Sequence, residues 1–548
     1  MKIALVVLLL VAYANSADIF RTEFGAKIKA EADKSKTKLN ISSLLQVRGK
    51  FLKLRQQIKE SLALTPERKE LLHKLMQKLV HIKKDHVHKS GDSIDEINKK
   101  VGMSDLLYDG DMVLTKEQAE EMVSDIDGSG SNRAKRQAYR NKLYPKTLWT
   151  DGVIYYFHPS ASLYISLRLT SDRNSSKRSN RYRLANSMRS VFLKAAKEWS
   201  SQTCIDFHED VVGMGPNRIK VFKEKGCWSM VGRLPRPQEL SLGRGCDTIA
   251  TAQHEIGHAL GFFHQQARHD RDDYIVFNSE NVVPRYLDQF KKQSKETNDN
   301  YGLTYDYGST MQYGSTSGSQ NGKPTMVPKD PKYIETLGSP FIAFYDLLAI
   351  NTHYKCLGLF ERNRCSVIVR RRLRACIPEK CDNNGAQCKM GGFPNPRDCS
   401  KCICPSGYGG ATCDQKPEGC GEVLEATKEA KTLKSEIGDK SAGDEDREDM
   451  TKCYYWIKAP EGSKVEVKIV NLAKGLAIDG CRYWGVEIKT QEDQRASGYR
   501  FCAPEDAGVT LESHSNIVPI IAFNRHGSTE FELQYRIGTI ILRDQRFS

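Results

Sequence analysis

The stretch His254-Glu255-Ile256-Gly257-His258-Ala259-Leu260-Gly261-Phe262-Phe263-His264 decides how this chain is read. Two histidines four residues apart fall on one face of a helix, so both imidazoles can reach a single ion. Gly261 lets the chain leave that helix in a conformation other residues resist, which returns His264 as a third nitrogen ligand. Three protein ligands leave one coordination position open, and that separates a catalytic from a structural zinc site. Zinc lowers the pKa of a bound water to about 7. Glu255, next to the first ligand, is placed to take that water's proton while the metal polarises a peptide carbonyl. The pattern predicts one zinc ion per chain and metal-assisted hydrolysis. HExxH by itself also occurs in ordinary helices, and the continuation through Gly261 and His264 is what makes the signal specific.

Around this centre the chain is long. Its 548 residues exceed one ordinary core and predict three or four folded units. The net charge of +15 is spread over every segment and interleaved with acids, so it reads as a solvated surface and not as a nucleic-acid footprint. Met1 to Ser16 place Lys2 before an apolar run from Ile3 to Ala12, followed by small residues at Ala14 and Ser16, which is an export signal. That run is too short to span a bilayer, and no other stretch approaches the roughly 20 apolar residues that spanning needs. A protein free outside the cell is expected. All 16 cysteines lie between Cys204 and Cys502, and an even number in an exported chain reads as disulfides.

From Leu39 to His88, Leu44, Val47, Phe51, Leu54, Ile58 and Leu62 recur at helical spacing. Thr65 and Pro66 read as an N-cap and first-turn proline opening a second helix with Leu71, Leu75, Leu79 and Ile82 inside. His81, His86 and His88 sit in a charged stretch without partner ligands and read as surface residues. Arg133-Ala134-Lys135-Arg136, set among glycines and serines, is a flexible basic segment suited to proteolysis after Arg136, with Gln137 as the new end. Beyond it, Gly152 to Phe157 and Arg218 to Phe222 read as strands, and Leu184, Met188, Val191, Phe192, Ala195 and Trp199 line one helix face. Eight cysteines crowd Cys365 to Cys413, a stretch too small for an apolar core and therefore held by bridges. From Cys420 onward, alternating runs such as Val465 to Val470, Val486 to Ile488 and Phe531 to Tyr535 indicate a β-sandwich. Asn40 and Asn174 head glycosylation acceptor triplets.

The pattern HExxHxxGFxHxQxRxDRDxY from His254 to Tyr274 resembles the astacin family of metzincin proteases, and Ser309-Thr310-Met311-Gln312-Tyr313 resembles that family's Met-turn. The match runs from about Trp149 to Cys356. The resemblance implies an α+β metzincin domain over 137–357 and a helical propeptide over 17–136 behind a signal at 1–16. It also implies that Met311 floors the zinc and that Tyr313 ligates it at rest and swings to stabilise the tetrahedral intermediate. Bridges Cys204 to Cys356 and Cys227 to Cys246 follow from the same likeness, as does substrate added as a strand along a sheet edge near Leu240-Ser241-Leu242. Tyr108-Asp109-Gly110-Asp111-Met112 is similar to the motif by which astacin precursors place an aspartate on zinc, which makes Asp111 the zymogen switch. Gln265 departs from the glutamate that many members carry after the third histidine.

Cys402 to Cys413 resembles the end of an EGF-like module (358–414), with Cys404 to Cys413 as a bridge and the pairing of the other six cysteines left open. The tail from Cys420 looks like a CUB domain (420–538), which implies bridges Cys420 to Cys453 and Cys481 to Cys502. Arg482-Tyr483-Trp484-Gly485 lacks the acid that calcium-binding CUB domains place there, so calcium is not expected. The expected partners are extracellular protein substrates, with matrix or cell-surface partners through the CUB domain, and neither nucleic acid nor a membrane span. The contrasting expectation is a catalytically silent matrix-binding protein acting through the EGF and CUB modules. Protein cleavage with and without a chelator separates the two.

Overall fold

Met188, Val191, Phe192, Ala195 and Trp199 form one stripe of the Ser175–Ser201 helix, and all five are buried. In the computed structural model, which describes residues 26, 39–126, 138–139, 144–161, 175–212, 215–295, 297–357, 381 and 385–540, this stripe joins one core with Val153, Ile219, Val221 and Leu240 of a six-stranded sheet. The export signal, Arg136, Gln137, Asn174, Cys365 and Cys376 lie outside the described residues. Among the described residues no helix is long and apolar enough to cross a membrane.

The sheet runs in the order Met112–Val113, Cys227–Met230, Gln238–Leu242, Ile219–Phe222, Val153–Phe157, Phe207–Glu209. This corrects the expected substrate edge. Leu240 and Ser241 pair on both sides, with Ser229 and Trp228 in one direction and Val221 and Phe222 in the other, and Leu242 pairs with Cys227. The strand next to the cleft is Cys227–Met230, and Met112–Val113 covers it in parallel register, Met112 opposite Ser229. Alternation of apolar residues marks a strand but carries no signal of which neighbour lies beyond it.

The N-terminal segment wraps the cleft as helices Ile41–Lys53, Arg55–Ser61, Pro66–Met76, Ile94–Lys100 and Lys116–Ile126. Asn40 is exposed and caps the first of these, accepting from the Ser43 amide, and Thr65 caps the third. That third helix stops at Met76, short of the expected Leu79 and Ile82. A turn and a bend follow it, and Asp85 farther on is tied to the C-terminal sandwich. The Asp85 amide donates to the Ala477 carbonyl and the Ala477 amide to the Asp85 carboxylate, each at 2.9 Å. Arg48 and Asp288, both buried, form an ion pair between this segment and the protease core, and Arg48 Nε also donates to the Asp105 carbonyl at 3.0 Å. Arg48→Ala leaves Asp288 buried without its charge partner, so the intact chain is expected to lose about 3–5 kcal/mol. A denaturant midpoint unchanged from wild type would contradict this.

Beyond Cys356 the described cysteines pair as Cys381–Cys399, Cys388–Cys402 and Cys404–Cys413. The tail is a sandwich of one five-stranded and one four-stranded sheet, with Val465, Val467, Ile469, Trp484 and Val486 among its buried residues. Its bridges are Cys420–Cys453 and Cys481–Cys502. The sandwich rests on the protease domain through Arg500 to Ser339 at 2.6 Å, Tyr499 to Asp330 at 2.6 Å and Tyr345 to Asp493 at 2.5 Å.

Candidate metal centre

Both ends of the Ile249–Ala259 helix are fixed before any ligand is considered. Thr248 caps its start by accepting from the Thr251 amide. Trp199 Nε1 donates to the Gln253 carbonyl at 3.1 Å, and Trp149 Nε1 to the Ala259 carbonyl at 2.9 Å. At the far end Gly261 has φ +110°, with its amide bonded to the His258 carbonyl and the Phe262 amide bonded to the Gly257 carbonyl. This is a Schellman stop, which needs a left-handed residue at that position. It turns the chain so that His264 faces back toward His254 and His258. Cys227–Cys246 braces the loop before the helix, and Cys204–Cys356 ties the long Ser175–Ser201 helix to the end of the Phe344–His353 helix.

Two of the imidazoles are oriented by a carbonyl at the outer nitrogen. His254 Nδ1 donates to the Thr310 carbonyl and His258 Nδ1 to the Phe262 carbonyl, both at 2.7 Å, while His264 Nδ1 lies 3.9 Å from Asp109. The three Nε2 atoms converge. His254 Nε2 and His264 Nε2 are 3.2 Å apart, and Asp111 reaches all three at 3.0, 3.1 and 3.3 Å. Tyr313 Oη donates to Asp111 Oδ2 at 2.5 Å. His258 Nε2 and Asp111 Oδ1 are buried without a hydrogen-bond partner, which the native interior tolerates only where something else satisfies them. Three imidazole nitrogens and a carboxylate oxygen, all within 4.8 Å of one another, are a donor set that fits one zinc ion.

Burial opposes charge on Asp111, yet the surrounding histidines, His264 foremost, hold its carboxyl well below the usual range. Glu255 is fully buried with neither oxygen hydrogen-bonded. Burial and then the Asp111 carboxylate push it well above the usual range. A divalent cation where the nitrogens converge acts in the opposite sense, favouring the ionised carboxylate.

The Ser309–Tyr313 turn lies beneath the helix. Met311 is buried, and its sulfur sits where a side chain on Gly257 would have to go. Asp346 holds this turn. It accepts from Ser309 Oγ at 2.5 Å, the Thr310 amide at 2.8 Å and the Ala343 amide at 2.9 Å, and burial pushes its carboxyl up to about 7. Because Thr310 orients His254, Asp346 supports a ligand it never touches. The sequence reading did not single it out, although a lone acid within Phe344-Tyr345-Asp346-Leu347-Leu348 was the available signal. Gln266 falls within the quoted pattern but was given no role there, and it accepts from the Tyr313 amide at 3.1 Å. Gln265, where the likeness departs, is buried and donates its amide to the Met311 carbonyl.

The loop that carries Asp111 is built to deliver it. Tyr108 and Met112 exchange both backbone hydrogen bonds, at 2.8 and 3.0 Å, closing a tight turn. Gly110 takes φ +93° within it and passes so close to Tyr313 that a Cβ would lie 3.3 Å from the phenol oxygen. Asn98, fully buried and outside the earlier reading, donates to the Gly110 and Cys227 carbonyls at 2.9 and 2.7 Å and so clips the loop to the sheet edge.

Comparison with known proteins agrees with this geometry. The family model for Astacin (Peptidase family M12A) matches residues 177–355. Zinc metalloproteinase nas-31 of Caenorhabditis elegans is 42% identical over 459 residues, covering 83% of this chain and 67% of that protein. Zinc metalloproteinase nas-29 of the same organism is 32% identical over 471 residues, covering 81% and 78%. Among solved structures, high choriolytic enzyme 1, a hatching enzyme zinc-protease from the medaka fish Oryzias latipes, aligns with a TM-score of 0.32 at 27% identity, over 40% of this chain and 99% of that one. With relatives this similar over most of their length, the chain belongs to the astacin family of zinc metalloproteinases.

Proposed function

We propose that this chain is a secreted endopeptidase of extracellular proteins, made as a latent precursor in which Asp111 closes the metal centre. The observation that carries the reading is the Asp111 carboxylate held among three imidazoles and the Tyr313 phenol, on a loop whose next two residues cover the sheet edge. His254, His258 and His264 are the residues that hold zinc, and zinc when bound supplies a Lewis acid that polarises the peptide carbonyl and acidifies water. Glu255 accepts the water's proton and passes it to the leaving amine. Once Asp111 withdraws, Tyr313 loses its acceptor, and its phenol is free to donate to the oxyanion that develops on the scissile carbonyl.

Residues 17–136 are the inhibitory segment in this reading and 137–357 the protease domain, followed by an EGF-like module over 358–414 and a CUB domain over 420–538. Cleavage after Arg136 releases the segment. The export signal and the seven disulfides among the described residues support secretion. The CUB domain is the module placed to engage matrix or cell-surface partners. Casein digestion by the chain before and after cleavage at Arg136, with and without a chelator, tests the reading. Activity confined to the cleaved, zinc-loaded form is expected, and chelator-insensitive digestion overturns it.

Tyr313→Phe keeps the ring and its packing while deleting one hydrogen bond to the developing oxyanion. Turnover is expected to fall by roughly 10²–10³ with little change in substrate affinity. A change confined to affinity would refute the transition-state role.

A further inference from the structure

The cleft beside the metal centre is not walled by the protease domain alone. A cavity of about 210 Å³ is lined by His254, Thr310 and Tyr313 and also by Asp479 of the C-terminal sandwich and Lys84 of the N-terminal segment. Asp479 is built into that wall, accepting from Ser315 Oγ at 2.9 Å, the Thr316 amide at 2.8 Å and Thr316 Oγ1 at 2.7 Å. These residues follow Tyr313 by two and three positions.

Asp479 on the cavity wall is one of three buried carboxylates around Lys84, the others being Glu335 of the protease domain and Asp506 of the sandwich, which lie behind the lining. Lys84 lies among them. Its Nζ is buried although part of its stem stays exposed, 3.1 Å from Asp479 and 3.7 Å from Glu335. Burial works against the ammonium, but Asp479 and Glu335 outweigh it and hold Lys84 above its ordinary range. Asp506, only 3% exposed, keeps one carboxyl oxygen without a hydrogen-bond partner. Burial and the adjoining Glu335 push its carboxyl up to about 10. When the N-terminal segment departs, Glu335 and Asp479 lose the one ion-pair partner they have among the described residues, while Arg482 stays on the cavity wall and donates to the Gly338 carbonyl, so buried negative charge is left, a costly state unless another cation enters.

We propose that Glu335, Asp479 and Asp506 form a specificity seat for a lysine or arginine side chain of a peptide lying in the cleft, which Lys84 fills in the precursor. The inference rests on the endopeptidase reading above and adds a substrate class to it. The sandwich thereby takes part in substrate choice directly, through two of the three acids.

The test uses the full chain cleaved after Arg136 and a fluorescent peptide spanning His81 to Asp95, with Lys84 or with Lys84→Ala. Binding is read by anisotropy, so the result does not depend on turnover. The lysine peptide is expected to bind roughly tenfold or more tightly, the scale of a hydrogen bond to a charged group. Asp479→Asn in the protein is expected to remove that difference, and in peptide-library digests to remove an enrichment of Lys and Arg at one fixed distance from the cut. Equal binding of the two peptides overturns the seat, and equal binding together with thermal stabilisation by millimolar Ca²⁺ assigns the acids to a cation instead. Lysine-dependent binding by a protein that digests no casein fails the endopeptidase reading and leaves the seat standing.

Discussion

Glu255→Gln is expected to retain zinc and lose peptide hydrolysis by roughly 10²–10⁴-fold, the usual cost of deleting a general base. The two properties separate because the histidine nitrogens converge without help from Glu255. His254 and His258 are oriented by the Thr310 and Phe262 carbonyls, and His264 by the turn at Gly261. Glutamine preserves the size of a fully buried side chain whose oxygens make no hydrogen bond in the latent form, so the fold has little to lose. Zinc content near one per chain with turnover close to wild type would remove Glu255 from proton transfer. Loss of both properties would make it a structural support of the ligands.

The second large effect concerns latency. Asp111→Ala, in a chain whose Arg136 site is also disabled, is expected to show chelator-sensitive digestion without any cleavage of the precursor. Asp111 is the acceptor of the Tyr313 phenol and the anion among three imidazoles, and each charge-assisted contact contributes about 1.5–3 kcal/mol. Removing them shifts the closed loop toward release by at least about tenfold. The rest of the segment still covers the edge strand through Met112 and Val113 and still holds Asn98 against Cys227, so full activity is not expected. Complete silence from a folded, zinc-loaded variant would assign latency to that covering alone.

How much of this was legible in the sequence depends on the range of the interaction. His254 and His258 are readable because helix geometry alone places residues four apart on one face, and Gly261 because a left-handed stop has a residue preference. Asp111 was reachable only by likeness. Nothing local in Tyr108 to Met112 says that the turn meets a helix some 140 positions later in the chain. Asp346 and Asn98 were missed for the same reason, since a buried acid and a buried amide announce themselves by their partners, which are distant. The expected substrate edge failed similarly, because likeness placed it at Leu240 to Leu242, which lies inside the sheet. In the N-terminal segment the helical spacing of Leu71 and Leu75 was real, but the helix ends at Met76, and apolar periodicity alone does not mark where a helix stops.

The proposed function requires that one zinc ion is held by His254, His258 and His264 and is closed by Asp111 until the N-terminal segment leaves. Zinc-edge X-ray absorption on the intact chain and on the chain cleaved after Arg136 addresses it most directly. The account predicts three imidazole nitrogens in both forms, with a carboxylate oxygen in the intact chain that is lost on cleavage and is absent from intact Asp111→Ala. Sulfur in the zinc shell, fewer than three imidazoles, or a shell identical in all three samples would contradict it.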